Sequence, residues 1–269
     1  MTTLIKLGGS LITDKSQAKS FRSDIVRQVA RQIARIRNSD AQWRIILGHG
    51  SGSFGHFEAR KHGTAEGVRT DQERLGFAQV GAVAAELSVL VLKELIAAGL
   101  PAMRFQPSST MISRNRQIIA FDLRALALAL DRRIVPLIHG DIALDETTNG
   151  TIVSTESIFS HLAGPLQVRR IILLGEVAGV FDSRGGLIPC IRPSSFHEAH
   201  AALAGSGGVD VTGGMRQKVE TMVHIVREHP ALEVTIADGR REGVLLDLLV
   251  NRRKIGTRIC GDLSFGVRR

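Results

Sequence analysis

The stretch that most constrains this chain is Gly48-His49-Gly50-Ser51-Gly52-Ser53-Phe54-Gly55-His56, which directly follows the apolar run Arg44-Ile45-Ile46-Leu47. A β-branched run that ends in glycines reads as a buried strand whose backbone must approach something closely where it stops. A helix starting within residues 51–54 would aim free N–H groups and its positive dipole end at an anion. His56 then sits about one turn in, beside that anion. Ile5-Lys6-Leu7-Gly8-Gly9-Ser10-Leu11 has the same grammar: a short apolar strand, a glycine pair, then a hydroxyl. Two such loops after two early strands imply one phosphorylated ligand gripped twice, or two ligands facing each other.

At 269 residues the chain is long enough for a large buried core, as one α/β domain or two closely joined lobes. Its 43% hydrophobic and 23% charged residues are ordinary for a globular protein. No run approaches about 18 consecutive apolar residues, and the first residues lack a basic segment and a small-residue cleavage site, so neither a membrane span nor a signal peptide is expected. Cys190 and Cys260 lie far apart without metal spacing and are expected as free thiols, which fits a reducing cytoplasm. The net charge of +9 raises nucleic-acid binding as a reading. The basic residues are spread along the chain, however, aromatics are only 4%, there is no Tyr, and no basic–aromatic interleaving occurs. A solvated basic surface that draws in anionic substrates is the expectation.

Taken in order, residues 3–7 read as a strand, 23–36 as an amphipathic helix and 44–48 as a second strand. Residues 71–98 form a long helix rich in small side chains (Gly76, Ala78, Gly81, Ala82), closed by Gly99 and Pro101. Such side chains let another helix or a ligand come close. A strand at 101–105, a helix at 122–130 and a strand at 134–138 lead to His139-Gly140-Asp141, and residues 142–153 read as a hairpin turning at Asn149-Gly150. A helix at 155–162, a strand at 168–174, a turn-rich extension at 179–188 and a helix at 199–204 follow. Asp210-Val211-Thr212-Gly213-Gly214-Met215 opens a helix to Arg227, and strands near 232–236 and 257–260 finish the chain. Strands alternating with helices imply a parallel sheet covered on both faces.

Gly50-x-Gly52-x-x-Gly55 matches the dinucleotide fingerprint, but no second strand carries an acid about 20 residues on. No Gly-x4-Gly-Lys-Ser/Thr occurs, which excludes a P-loop, and His49, His56 and His62 lack zinc spacing.

The combination says more than any piece. Lys6-Leu7-Gly8-Gly9-Ser10, the glycine stretch, His139-Gly140-Asp141 and Thr212-Gly213-Gly214-Met215 with Lys218 together resemble the amino acid kinase superfamily. Within it, Lys15, Gly52-Ser53-Phe54-Gly55-His56, Gln106-Pro107-Ser108-Ser109, Ile138-His139-Gly140-Asp141 and Asp210 to Met215 look like isopentenyl phosphate kinase, over residues 4 to about 260. The resemblance implies an open αβα sandwich with a mostly parallel central sheet. It further implies an N-terminal lobe (1–165) that binds isopentenyl phosphate and a C-terminal lobe (166–269) that binds ATP, two lobes of one continuous fold. The implied reaction transfers the γ-phosphate of ATP, bound with Mg2+, to isopentenyl phosphate, giving isopentenyl diphosphate in a cytoplasmic homodimer that uses neither nucleic acid nor membrane.

The implied catalytic residues are Lys6, Lys15, His56 and Asp141, with Lys15 stabilising the transition state and Asp141 organising the lysines or the metal. ATP would meet Lys6, Gly8, Gly9, Ser10, Ser51, Gly175, Gly179, Gly214 and Lys218, the first loop through backbone N–H groups. The acceptor would meet Gly50, Gly55, His56 and Thr155, and no protein metal ligand is implied. The sequence departs from the family pattern at Ser51, where a third glycine is usual, at Thr155-Glu156-Ser157 in place of Gly-Asp-Asp, and at Gly175-Glu176-Val177-Ala178 in place of Thr-Asp-Val-Asp. Two alternatives stay open at this point: a kinase of the same superfamily acting on another phosphate or phosphonate such as fosfomycin, and a non-catalytic sensor of the same fold.

Overall fold

The computed structural model describes residues 2–14, 16–40, 42–64, 67–197 and 214–262. The chain runs β1 (Thr2–Leu7), α1 (Gly9–Ile12), α2 (Ser23–Ser39), β2 (Arg44–His49), α3 (Gly52–His62) and α4 (Asp71–Ala97). Next come β3 (Ala102–Arg104), β4 (Met111–Arg114), β5 (Gln117–Phe121), α5 (Arg124–Asp131), β6 (Val135–His139), β7 (Asp141–Asp145), β8 (Asn149–Val153) and α6 (Thr155–Ala163). The chain continues through β9 (Val168–Gly175), β10 (Cys190–Ile191), α7 (Gly214–Glu228), β11 (Glu233–Asp238), α8 (Val244–Leu249) and β12 (Thr257–Cys260).

Among the described residues the main sheet has eight strands in the order β10-β12-β11-β9-β1-β2-β6-β3, and β4, β5, β7 and β8 form a separate four-stranded sheet. All main-sheet neighbours are parallel except β11 and β12. The register aligns Leu7 with His49 and Leu174, His49 with His139, and Leu174 with Ala237, so five strands end at one edge. In open α/β sheets that carboxyl edge is where ligands bind. Residues 1–165 and 166–269 share this sheet, because β1 lies between β2 and β9.

Period-two alternation sorts the strands into two cores. Leu4, Ile46, Ile171, Leu173, Val234 and Ile236 pack under Ile158, Phe159 and Leu162 of α6 and Val219, Met222 and Val223 of α7. Ile5, Leu7, Ile45, Leu47, Ile172 and Leu174 pack on the other face against Val26, Val29 and Ile33 of α2 and Leu87, Val91 and Leu95 of α4. Lys6 shares its face with Leu4, so its side chain points toward the α6–α7 layer.

The 27-residue α4 is long and apolar enough to cross a membrane by length and composition. It instead buries Val83, Leu87, Val91 and Leu95 as a core helix. Its start is fixed by a capping box, in which the Thr70 hydroxyl accepts from the Glu73 N–H and the Glu73 carboxylate accepts from the Thr70 N–H. The small residues of α4 serve close packing: a Cβ on Gly76 would meet the His62 ring at 2.5 Å, and one on Gly81 would meet Ile142 Cδ1 at 2.6 Å. Ala78 and Ala82 are exposed.

Several boundaries differ from the sequence reading. The hairpin turns at residues 146–148, where Asp145 Oδ1 accepts from the N–H groups of Thr147 and Thr148, and Asn149 opens β8 with a φ of 61°. The β4–β5 hairpin has no counterpart in the sequence reading. The helix expected at 122–130 starts two residues later, because Asp122 accepts from the Arg124 N–H ahead of it. The helix expected at 199–204 and the segment Asp210 to Gly213 lie outside the described residues.

Candidate active site

Two glycine loops meet at the carboxyl edge. A Cβ on Gly9 would lie 2.5 Å from Gly52 N, and one on Gly50 would lie 3.0 Å from Gly9 N, so backbone touches backbone. Gly52 adopts a φ of 49°, and a Cβ there would sit 2.1 Å from Thr13 Oγ1. The Thr13 hydroxyl ties the loops together: it donates to Gly9 O at 2.7 Å and accepts from the Ser53 N–H at 2.9 Å. Only glycine at 9 and 52 permits this approach.

Hydrogen bonding then decides which N–H groups remain for a ligand. Gly8 N–H donates to Leu174 O at 2.8 Å, Gly50 N–H to Leu7 O at 3.0 Å and Gly55 N–H to Ser51 O at 3.2 Å. The ATP contact expected of the Gly8 N–H is therefore corrected, and Gly50 and Gly55 have no N–H to offer the acceptor, because neighbouring backbone already uses all three donors. Among the described residues no acceptor takes the N–H groups of Gly9, Ser10, Ser51 or Gly52. These four sit at the starts of α1 and α3, where a helix leaves its first donors unpaired. Gly55 is small for another reason: a Cβ on it would meet Ser51 Oγ at 2.5 Å.

Lys6 forms an ion pair with Glu156, the second residue of α6, and the side chains are only 10% and 12% exposed. Burial pulls the Glu156 carboxyl up, but the charge and hydrogen bond of Lys6 and the charge of Lys218 outweigh it and hold it below its ordinary value. Glu156 thus gathers a lysine from β1 and another from the first turns of α7. The sequence reading missed it. The signal was an acid at the middle position of the segment that replaces Gly-Asp-Asp.

Asp141 is placed differently from the expectation. Its Oδ2 accepts from Gln106 Nε2 at 2.5 Å and Ser108 N–H at 3.0 Å, and its Oδ1 accepts from Ile142 N–H at 2.9 Å. Burial pushes its carboxyl above the ordinary value against these hydrogen bonds. It therefore anchors the loop after β3, and Glu156 takes over as the carboxylate that organises the lysines. Thr155 is also engaged: its hydroxyl donates its proton to His49 O at 2.7 Å, which holds the end of β2 and leaves no proton to donate to a phosphate. Gly179 is packed, since a Cβ there would meet Thr257 Oγ1 at 2.6 Å, whereas a Cβ on Gly175 would find no atom within 4 Å.

Beneath the loops, the rings of His49 and His139 stack with centroids 5.3 Å apart and planes at 6°. Burial, His139 and Lys6 lower His49 to about 3 against the opposing bond to Gly50, and burial with Arg104 lowers His139 to about 4. Both rings are therefore neutral at physiological pH, and His49 Nδ1 can donate to Gly50 O at 3.0 Å. His56 is exposed in the second turn of α3, and Gly214 opens α7. Glu176, at the end of β9, pairs with Arg22 at 2.6 Å, and Arg22 also donates to Ser10 O at 3.2 Å, which braces the first loop from the side. Lys15 lies outside the described residues. Among the described residues no group of three or more His, Cys, Asp or Glu could hold a metal ion.

Residues 1–238 match the model of the amino acid kinase family. The chain is 32% identical to the isopentenyl phosphate kinase of Methanocaldococcus jannaschii, over 82% of this chain and 86% of that one. The chain belongs to the amino acid kinase family, in its isopentenyl phosphate kinase branch. It is also 33% identical to the isopentenyl phosphate kinase of Haloferax volcanii, over 82% of this chain and 86% of the relative. Among solved structures it resembles an isopentenyl phosphate kinase with a TM-score of 0.80 at 25% identity, covering 96% of this chain and all of that one. In this family member the paired glycine loops and the Lys6–Glu156 pair lie together at the carboxyl edge of the sheet. The thiols of Cys190 and Cys260, at the far end of the sheet, form no disulfide and share a hydrogen bond with their sulfurs 3.4 Å apart.

Proposed function

We propose that this kinase transfers the γ-phosphoryl group of ATP to isopentenyl phosphate at the carboxyl edge, above the point where the two glycine loops meet. The reading rests on the Gly9–Gly52 contact, which sets two groups of unpaired N–H donors face to face. Phosphoryl transfer between two polyanions needs positioning and positive charge more than covalent chemistry. Gly9 and Ser10 hold the ATP phosphates, joined by Lys218 and the open edge at Gly175. Gly52 holds the acceptor phosphate with His56, and Ser51, expected at ATP, is reassigned to the acceptor because its unpaired N–H lies at the same start of α3. The acceptor is already an anion, so its oxygen attacks the γ-phosphorus without a general base, and ADP leaves with the former bridging oxygen.

Lys6 and Lys15 flank the migrating group, and Glu156 holds Lys6 and Lys218 in place. Mg2+ bound to the nucleotide phosphates would supply further positive charge to the leaving oxygens. In this reading residues 1–165 bind the acceptor and reach the ATP phosphates through the first glycine loop, and residues 166–269 hold the rest of the nucleotide, in a cytoplasmic homodimer.

ADP release with isopentenyl phosphate, run against fosfomycin as the competing acceptor, tests the assignment. Turnover with isopentenyl phosphate is the expected result, and turnover with fosfomycin alone would overturn it. His56 tests the acceptor side. A hydrogen bond to a charged group contributes about 1.5–3 kcal/mol, so His56→Ala should raise KM for isopentenyl phosphate about 10- to 150-fold and leave KM for ATP nearly unchanged. His56→Gln, which keeps a donor without the charge, should fall between. Equal effects on both substrates would remove His56 from the acceptor phosphate.

A further inference from the structure

At the opposite edge of the sheet, where β2 and β6 begin, lies a cleft of about 230 Å³ lined by Arg37, Trp43, Arg44, Asp131 and Arg133 among others. Its charges do not balance. Asp131 is the one carboxylate lining it, and it pairs with Arg44 at 3.3 Å from a side chain 60% exposed. Arg37 donates to the Arg133 carbonyl oxygen, a common use of arginine at a helix C-terminus. That leaves two guanidiniums with donors to spare. Arg44 Nε is buried with no hydrogen-bond partner, and among the described residues no acceptor takes the Arg133 guanidinium. Burial and the nearby Arg133 charge lower the pKa of Arg37, so these two guanidiniums stand against each other. Arg133 itself has a φ of 60°, a conformation uncommon for a non-glycine residue. Trp43 forms a fixed apolar wall, with its Nε1–H donating to Thr3 Oγ1 at 3.1 Å.

We propose that this cleft is a second anion site, which takes a small phosphate or diphosphate group between Arg37, Arg44 and Arg133. Planar guanidiniums match phosphoryl oxygens in bidentate fashion, and a buried unpaired Nε–H gains a partner when an anion enters. The site stands apart from the glycine loops by the length of β2, about 16 Å at 3.3 Å per residue. It does not depend on the reaction proposed above.

The chain has one Trp and no Tyr, so its emission on excitation at the indole band reports on this cleft alone. Titrating inorganic phosphate, pyrophosphate and isopentenyl diphosphate into the metal-free protein, at constant ionic strength, should change Trp43 emission saturably, with pyrophosphate binding more tightly than phosphate. Isopentenyl diphosphate binding more tightly than pyrophosphate would assign the site to an organic diphosphate, and equal binding would assign it to the free anion. Arg133→Gln and Arg37→Gln should each weaken pyrophosphate binding at least about 10-fold while kcat and Tm stay unchanged. Arg44→Lys, which keeps the charge but loses the fork and the buried Nε–H, should bind with intermediate strength. Three results would each overturn the proposal: no saturable change, a change that sulfate and chloride reproduce, or a change that survives intact in Arg37→Gln/Arg133→Gln.

Discussion

Lys6→Met should lower kcat about 10²- to 10³-fold, the scale of losing one preorganised charge at a site of developing negative charge. Lys6 stands one residue before the end of β1, with Cε 3.9 Å from where a Cβ on Gly50 would be and its ammonium on Glu156. Removing it takes positive charge from the migrating phosphoryl group and strips a carboxylate with a 12% exposed side chain of its direct ion pair, with only the Lys218 charge left to face it. Breaking one side of a buried ion pair costs about 3–5 kcal/mol, so Tm should fall as well. These two effects can be separated. Adding Glu156→Gln to Lys6→Met removes the orphaned charge and should restore most of the Tm without restoring the rate. Glu156→Gln alone keeps a hydrogen-bond acceptor for Lys6 but leaves its buried ammonium without a counter-charge and frees both lysines to move, so it should lower kcat and Tm together. A Lys6→Met enzyme with near-normal kcat would place the lysine away from the transferred group. Recovery of the rate in the double variant would reduce the pair to a structural one.

Gly9→Ala should lower kcat/KM about 100-fold for both substrates. The new Cβ would lie 2.5 Å from Gly52 N and 2.7 Å from Gly52 Cα. Both are backbone atoms, held by the Thr13 hydroxyl and by the bond from Gly50 N–H to Leu7 O, so no side chain can rotate away. The loops must separate by nearly an ångström to reach ordinary contact. A misplacement of about 1 Å can cost on the order of 10² in rate, and it falls on ATP and acceptor together because each loop serves one of them. Gly175→Ala is the matched comparison: its Cβ meets nothing within 4 Å, so the fold and Tm should stand and any effect should appear in KM for ATP. Steady-state kinetics with both substrates varied, together with thermal melts, check both variants. Gly9→Ala with both KM values and kcat within twofold of the parent would mean that the loop contact does not set the reacting distance.

Much of this was legible in the chain alone. β1 and β2 are short apolar runs that stop at glycines, and such runs name both the strands and the close approach after them. The order of the motifs carried the family and its αβα fold. Lys6 could be read as a site residue, although its partner could not. Glu156 lies 150 positions away and becomes relevant only because period-two alternation turns Lys6 to the same face as α6.

The donor assignments failed for a related reason. Whether a glycine N–H is available depends on which carbonyl the neighbouring strand brings to it, and Leu174 O and Leu7 O take the donors of Gly8 and Gly50. The stripe of small residues on α4 was likewise ambiguous in sequence. His62 and Ile142 fill the space beside Gly76 and Gly81, and local spacing does not record contacts made across the fold. The sequence by itself determined most of the elements, their order and the two glycine loops that end β1 and β2, because these follow from local backbone chemistry. The tertiary structure alone decided which donors stay unpaired, that Glu156 and not Asp141 gathers the lysines, and that three arginines share a cleft at the opposite edge. Each of these depends on parallel strand pairing and helix layering that bring distant residues within hydrogen-bonding range.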